Sequence, residues 1–270
     1  MQAASTVQVT PENGWQPSER LKGLGFRFGP GGTHITRTMM LDEIGRLLAA
    51  VPYSAPADVY RDAVIEKNLL GKATESTRHR TYRHLRELYA LRLETPLFRL
   101  YRHLAAFDPQ SLPLLSLLVA WARDPQLRAT TDAVLPVRID SAVTVADIGR
   151  VLTNKLAGQY NAQSIFKIAK NASSSWTQSG HLVGRVKKTR SRVHPRAVTL
   201  ALALFLADAS DIHGAATFSS VWCRLLDLSS SEARSLAAQA HREGLLTLKT
   251  IGAVVEMSFP RFGELMQEGS

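Results

Sequence analysis

TVADIGRVLTNKLAGQYNAQSIFKIAKNASSSWTQSGHLVGRVKKTRSRVHPR, residues 144–196, is the stretch whose reading decides the fold. Thr144 begins a capping signal with Asp147 three residues on, and Ile148, Val151, Leu152 and Leu156 form an apolar stripe at helical spacing. Gly158-Gln159-Tyr160 makes a short turn, after which Asn161 can cap a second helix running to about Ser179. In that helix Ile165, Phe166, Ile168, Ala169, Ala172 and Trp176 take one side, with Trp176 in phase as a core anchor. Gln163, Lys167, Lys170, Asn171, Ser174 and Gln178 take the other. Helix, tight turn, amphipathic helix is the order of a helix-turn-helix. The run that follows, 181–196, sets Val183, Val186 and Val193 around a Lys/Arg-rich centre and reads as a β-ribbon or wing.

The charge of the chain gathers in the same place. From Ile148 to Ala207 there is no Asp or Glu, but there are ten Lys or Arg: Arg150, Lys155, Lys167, Lys170, Arg185, Lys187, Lys188, Arg190, Arg192 and Arg196. The 270 residues net +10, so this window carries the whole excess and the remainder balances. Charge gathered in one acid-free segment suggests a surface facing a polyanion, and nucleic acid is the leading candidate. Gln, Asn, Ser and Lys on the polar helix face can bond base edges and phosphates, where a carboxylate would repel the backbone. On a lone helix the same face would be ordinary solvated surface. The adjoining Arg185, Lys187, Lys188, Arg190 and Arg192 shift the balance, being dense enough to clamp phosphates. Duplex DNA is expected over single strands because the helix lacks interleaved aromatics for base stacking.

A second basic element lies at 75–92, with Arg78, Arg80, Arg83 and Arg86 beside His79 and His84. It reads equally as a second recognition helix following a helix at 56–68, or as arginines paired with Glu75, Glu87 and nearby acids. The sequence leaves both open.

The other segments organise around these two. Residues 1–33 are rich in Gln, Ser, Thr, Pro and Gly and are expected to form a flexible arm. Helical periodicity then predicts helices near 36–51, 56–68, 75–92, 96–106, 110–123 and 125–135, with Asp108-Pro109 and Asp124-Pro125 each offering an N-cap followed by Pro. After the wing, a nearly all-apolar helix is expected at 195–209, then helices at 217–227 and 230–243. Two β-rich runs, LLTLKT (245–250) and VVEMSF (254–259), follow. Three helices and a hairpin make a second winged-helix candidate, whose mixed charge suits packing or protein contact better than DNA.

Several function classes are disfavoured. The 45% hydrophobic content reads as globular and soluble. Cys223 is the single cysteine, which excludes an internal disulfide, and no Cys/His spacing suits zinc. The first twenty residues lack the order of a secretion signal, and the apolar stretches 112–122 and 197–209 are too short to cross a bilayer. In LLGKAT (69–74), Glu66 stands where a phosphate loop needs its first Gly, and Ala73 where it needs Ser or Thr. Asp58, Asp62 and Glu66 read as a solvating stripe, and Ser173–Ser175 near His181 lack a local acid. No catalytic residue, metal or cofactor is expected.

The strings NLLGKATESTRHRTYRHLRELYAL (68–91), WARDPQLRAT (121–130) and NASSSWTQSGHLVGRVKK (171–188) resemble the BrxA-type small proteins of bacterial BREX phage-defence islands. The resemblance spans about residues 58–262. It implies a helical fold with helix-turn-helix or winged-helix parts, binding of double-stranded DNA, and a setting beside a methyltransferase, a large ATPase and a phosphatase-like protein. Carried over by position, it puts DNA contacts in Asn171–Lys188 and in Arg78–Arg86. This chain is longer than the compact members of that family.

The expected molecule is mainly α, with a helical N-terminal half, helix-turn-helix or winged-helix modules, and short β-hairpin wings. Its expected divisions are an arm over 1–33, a helical domain over 34–136 with room for a helix-turn-helix, the basic helix-turn-helix and wing over 137–194, and a winged-helix-like domain over 195–270. The expected function is cytoplasmic, non-enzymatic binding of double-stranded DNA in phage defence, chiefly through the phosphate backbone. The alternatives are an adaptor docking other defence proteins with incidental DNA contact, and a nuclease with a dispersed site.

Overall fold

The computed structural model describes residues 17–252 and 254–267. It is mainly helical, with two small antiparallel hairpins. Where the sequence predicts a flexible arm, residues 17–33 are packed. Helix α1 (Glu19–Leu24) is capped by Ser18 and closed by Gly25, and Leu21 and Phe26 are buried. Two apolar anchors suffice to dock a segment whose overall composition is that of a loop. Residues 1–16 lie outside the described residues.

The N-terminal half continues as α2 (Leu41–Ala50), α3 (Ala57–Ile65), α4 (Glu75–Tyr89) and α5 (Pro96–Phe107). A 3-10 turn (Pro109–Ser111), α6 (Leu112–Arg123), α7 (Pro125–Ala129) and α8 (Thr131–Val134) complete it. The helix expected from 36 begins only at Leu41, because residues 33–39 run as an irregular strap and Met40 is left-handed. Asp124 caps α7 as its Asp-Pro pair predicts, accepting from the Gln126 and Leu127 N–H groups.

The basic window folds as α9 (Val145–Lys155) and α10 (Ala162–Gln178), then the hairpin β1 (Leu182–Val183) and β2 (Thr189–Arg190). Thr144 and Asp147 form the expected capping box, and Asn161 caps α10. A further antiparallel bridge joins Ala142 to Thr189, so the segment before α9 flanks the hairpin.

The C-terminal third holds α11 (Ala197–Ala209), a 3-10 stretch (Gly214–Ser219), α12 (Val221–Arg224) and α13 (Ser230–Arg242). It ends with β3 (Thr247–Ile251), β4 (Val254–Ser258) and α14 (Pro260–Gln267). The helix expected over 217–227 is broken at Ser220, which is extended and caps α12. Helix α14 has no counterpart among the sequence expectations, although Pro260 opens it and Phe262 and Leu265 are buried. Arg99 holds its end by donating to the Leu265 and Met266 carbonyls.

Helices α6 and α11 are buried nearly all round and sit at the centre. Trp121 of α6 meets Trp222 of α12 edge to face at 4.8 Å, and Phe26 meets the same Trp222 at 5.7 Å. One cluster of buried apolar side chains therefore runs from Leu21 to Leu265 through all four expected divisions.

Candidate nucleic-acid interface

The ten cations of the acid-free window divide into two sets. Five are paired with carboxylates: Arg150 with Asp147 at 2.7 Å, Lys155 with Asp132, Arg190 with Asp227, Arg192 with Glu232, and Arg196 with Asp108 at 2.6 Å. The other five, Lys167, Lys170, Arg185, Lys187 and Lys188, have no carboxylate partner among the described residues. Two of these lie on the exposed face of α10 and three on the 184–188 tip of the hairpin.

Helix α10 positions its pair by burying the opposite side. Ile165, Ile168, Ala169, Ala172 and Trp176 face the core, and the Trp176 indole donates to Thr130 Oγ1 at 2.8 Å. Gln163, Lys167 and Lys170 are exposed, with Ser174 half-buried. Phe166, expected on the apolar side, is 59% exposed and joins this stripe.

The flank of α10 corrects two site expectations. Asn171 Nδ2 donates to the His34 carbonyl at 2.8 Å. Gln178 donates to Thr38 Oγ1 at 3.1 Å and accepts from the Leu41 N–H at 3.2 Å. Both amides hold the 33–41 strap to α10 and are half-buried, so they are structural.

In the wing, Arg190 is a correction and Arg192 is paired at the surface. The register pairs Leu182 with Arg190, and alternation along β2 then turns Arg190 inward, where it is 1% exposed. Its guanidinium meets Asp227 with two nitrogens and donates to the Val134 carbonyl at 3.1 Å. Arg192 is exposed but tied to Glu232 of α13. The Ser229 hydroxyl and N–H, then Arg192, hold the Glu232 carboxyl down at about 2. The remaining tip is shaped by Gly184, at φ +105; a Cβ there would sit 2.1 Å from the Lys187 carbonyl oxygen. Val186, between Arg185 and Lys187, is 91% exposed.

In the second basic element, Arg78 donates to the Ile65 carbonyl and closes the end of α3, so it too is structural. Arg80 is exposed and, among the described residues, donates only to the Ser76 carbonyl of its own helix at 3.4 Å. Arg83 is exposed with Glu87 at 3.9 Å. Helices α4 and α10 both hold the same strap. Thr33 Oγ1 donates to Glu87 at 3.0 Å and Thr36 contacts His84, while His34, Met39 and Leu41 bond to α10.

The strap also closes a Ser–His–Asp array that sequence spacing concealed. His34 Nδ1–H donates to Asp124 Oδ2 at 2.9 Å, and His34 Nε2 lies 2.8 Å from Ser175 Oγ. The three residues are 90 and 141 positions apart, so no local pattern could find them. Such distances suit nucleophilic catalysis, yet Ser175 and His34 are fully buried and Asp124 nearly so. Ser175 Oγ also accepts the Met39 N–H at 2.8 Å. In this arrangement the array is a clamp. Burial alone would raise the Asp124 pKa, but His34 and the Leu127 and Thr33 N–H groups outweigh it and hold the carboxyl below its usual range.

No group of His, Cys, Asp and Glu among the described residues is clustered as metal ligands, and no described helix is long and apolar enough to cross a membrane. No family model and no curated protein matches the chain.

Proposed function

We propose that the protein binds double-stranded DNA, mainly through the phosphate backbone, using the exposed stripe of α10 and the tip of the hairpin wing. The observation that carries this reading is the division of the cations. Those without a carboxylate converge on one helix face and one hairpin tip, while acids from outside the window neutralise the rest. The order of elements supports it. Helices α7–α8, the bridging segment at 142, α9, a turn, α10 and the β1–β2 hairpin follow one another as in a winged helix. In that docking mode the first turns of the second helix face the groove, and here those turns carry Gln163, Phe166, Lys167 and Lys170.

Together with the resemblance to BrxA-type proteins, this supports reading the chain as a cytoplasmic, non-enzymatic DNA-binding component of a phage-defence system. The methyltransferase, ATPase and phosphatase-like protein of such a system are its proposed partners. One observation favours the adaptor reading for the C-terminal third: Ile251 and Val254, at the β3–β4 tip, are 79% and 62% exposed.

The test is duplex binding across a salt series. Five neutralised phosphates give a log–log slope near −4.5. A flat salt response, or no binding, defeats the reading. A serine-directed fluorophosphonate probe is expected to leave the native protein unlabelled at Ser175; stoichiometric labelling there revives the enzyme alternative.

A further inference from the structure

Three arginines meet at the C-terminal end of α4 with no carboxylate paired to any of them among the described residues. Arg123, the last residue of α6, is 8% exposed. Its Nε donates to the Glu87 carbonyl at 3.2 Å, Nη2 to the Arg86 carbonyl at 3.4 Å, and Nη1 to the Gly25 carbonyl. Arg27, exposed, sends Nη1 to the same Glu87 carbonyl at 3.4 Å. Two guanidiniums thus share one neutral acceptor, which leaves like charges close together. Arg92, also exposed, is the third, anchored by Nε to Thr95 Oγ1 at 3.0 Å. Burial first, then Arg27 and Arg92, push the Arg123 pKa down to about 10. The Glu87 side chain is committed elsewhere, to Thr33, His84 and Arg83.

The terminal carbonyls of α4 account for one cation, since a helix C-terminus attracts positive charge. They do not account for how the backbone is bent to gather three. Ala90 and Leu91 both have positive φ, +71 and +55, although neither is glycine and both are buried. A strained pair of this kind persists only where surrounding structure enforces it, and it leads directly into Arg92. On the other side Gly25 has φ +107, and a Cβ there would sit 2.4 Å from Thr95 Cγ2. Only glycine lets the segment carrying Arg27 lie against the segment carrying Arg92.

We propose that Arg27, Arg92 and Arg123 form a phosphate-binding site, built from residues separate from the α10–wing surface. Planar guanidinium forks suit phosphate oxygens in bidentate contact, and a bound dianion relieves the repulsion among the three. The phosphate is either free or part of a nucleic-acid backbone, and the free-phosphate arm below does not depend on the duplex-binding reading.

The experiment uses the full chain and an Arg27→Ala/Arg92→Ala variant, both positions being exposed. Thermal unfolding is followed during titration with inorganic phosphate against chloride at matched ionic strength. The expected result is a saturable gain in Tm on the order of 3 °C for the unaltered protein, absent in the variant. In chloride the variant is expected to be as stable as the parent or more so, because repulsion is removed; a mere capping role predicts a loss. If free phosphate has no effect but the variant flattens the duplex salt slope by about 2, the ligand is a backbone phosphate. The proposal is overturned if neither phosphate source responds to the two arginines. An equal Tm gain in both proteins, with an unchanged duplex slope, overturns it as well.

Discussion

Lys170 and Asn171 are neighbours on one polar helix face and have opposite roles. Lys170 reaches solvent with no carboxylate nearby, whereas Asn171 gives its amide to the His34 carbonyl. Asn171→Ala is therefore expected to lower stability by about 1–2 kcal/mol, because a buried acceptor loses its donor. Lys170→Ala should leave stability within about 0.5 kcal/mol of the parent. Urea unfolding of the two variants separates them, and equal effects would remove the strap assignment. The same contrast explains what was legible. Counting 100° per residue places Phe166 only about 60° from Gln163, so its exposure was available from helical geometry. That Asn171 and Gln178 face a strap 137 and 140 residues away was not, because periodicity gives a direction and not the neighbour found there. Arg190 is the sharper case. It reads as a wing cation until the register turns it toward Asp227. Arg190→Ala leaves that carboxylate, 10% exposed, without its partner, at an expected cost of roughly 3–5 kcal/mol in the same unfolding assay.

At the scale of elements, the capping boxes at Thr144–Asp147 and Ser229–Glu232 make α9 and α13 readable from sequence. Helix α10 is two elements in one: an outward N-terminal half and a C-terminal half occupied by the strap. The wing is short, with two residues in each strand, so its tip depends on Gly184. Gly184→Ala combines an unfavourable φ with a Cβ pressed on the Lys187 carbonyl. The expected outcome is several-fold weaker duplex binding with a global unfolding midpoint close to the parent's, because the tip lies outside the core. A variant that binds normally would show that the tip geometry does not matter. Helix α14 is short and follows directly on the β-rich run 254–259, so periodicity does not set it apart, although Phe259-Pro260 marks a helix start.

For the whole molecule, the single core joins groups that titrate together with folding. His181 is fully buried, its Nε2–H donating to the Leu225 carbonyl, and burial holds its pKa down to about 4 against 6.5 when exposed. The unfolded chain therefore binds this proton first. Stability that is complete above pH 6.5 is lost progressively as pH falls toward 4, by roughly 3 kcal/mol for this group. Asp124, depressed in the fold, adds loss of the same sign below its unfolded value of 3.8. Unfolding midpoints measured from pH 7 to 4 should fall steadily, and His181→Gln should flatten that dependence. A curve that stays level over this range contradicts the buried neutral imidazole.

The central claim is that, within the acid-free window of residues 148–207, the cations without carboxylate partners make the DNA surface and the paired ones do not. It is tested most directly by two variants of equal charge loss, Lys167/Lys170/Lys187→Gln and Arg150/Arg192/Arg196→Gln, compared in duplex binding over a salt series. The account predicts that the first weakens binding and flattens the salt slope by about 2 to 3, while the second changes both little. Equal losses in the two variants would reduce the effect to net charge and contradict the assigned surface.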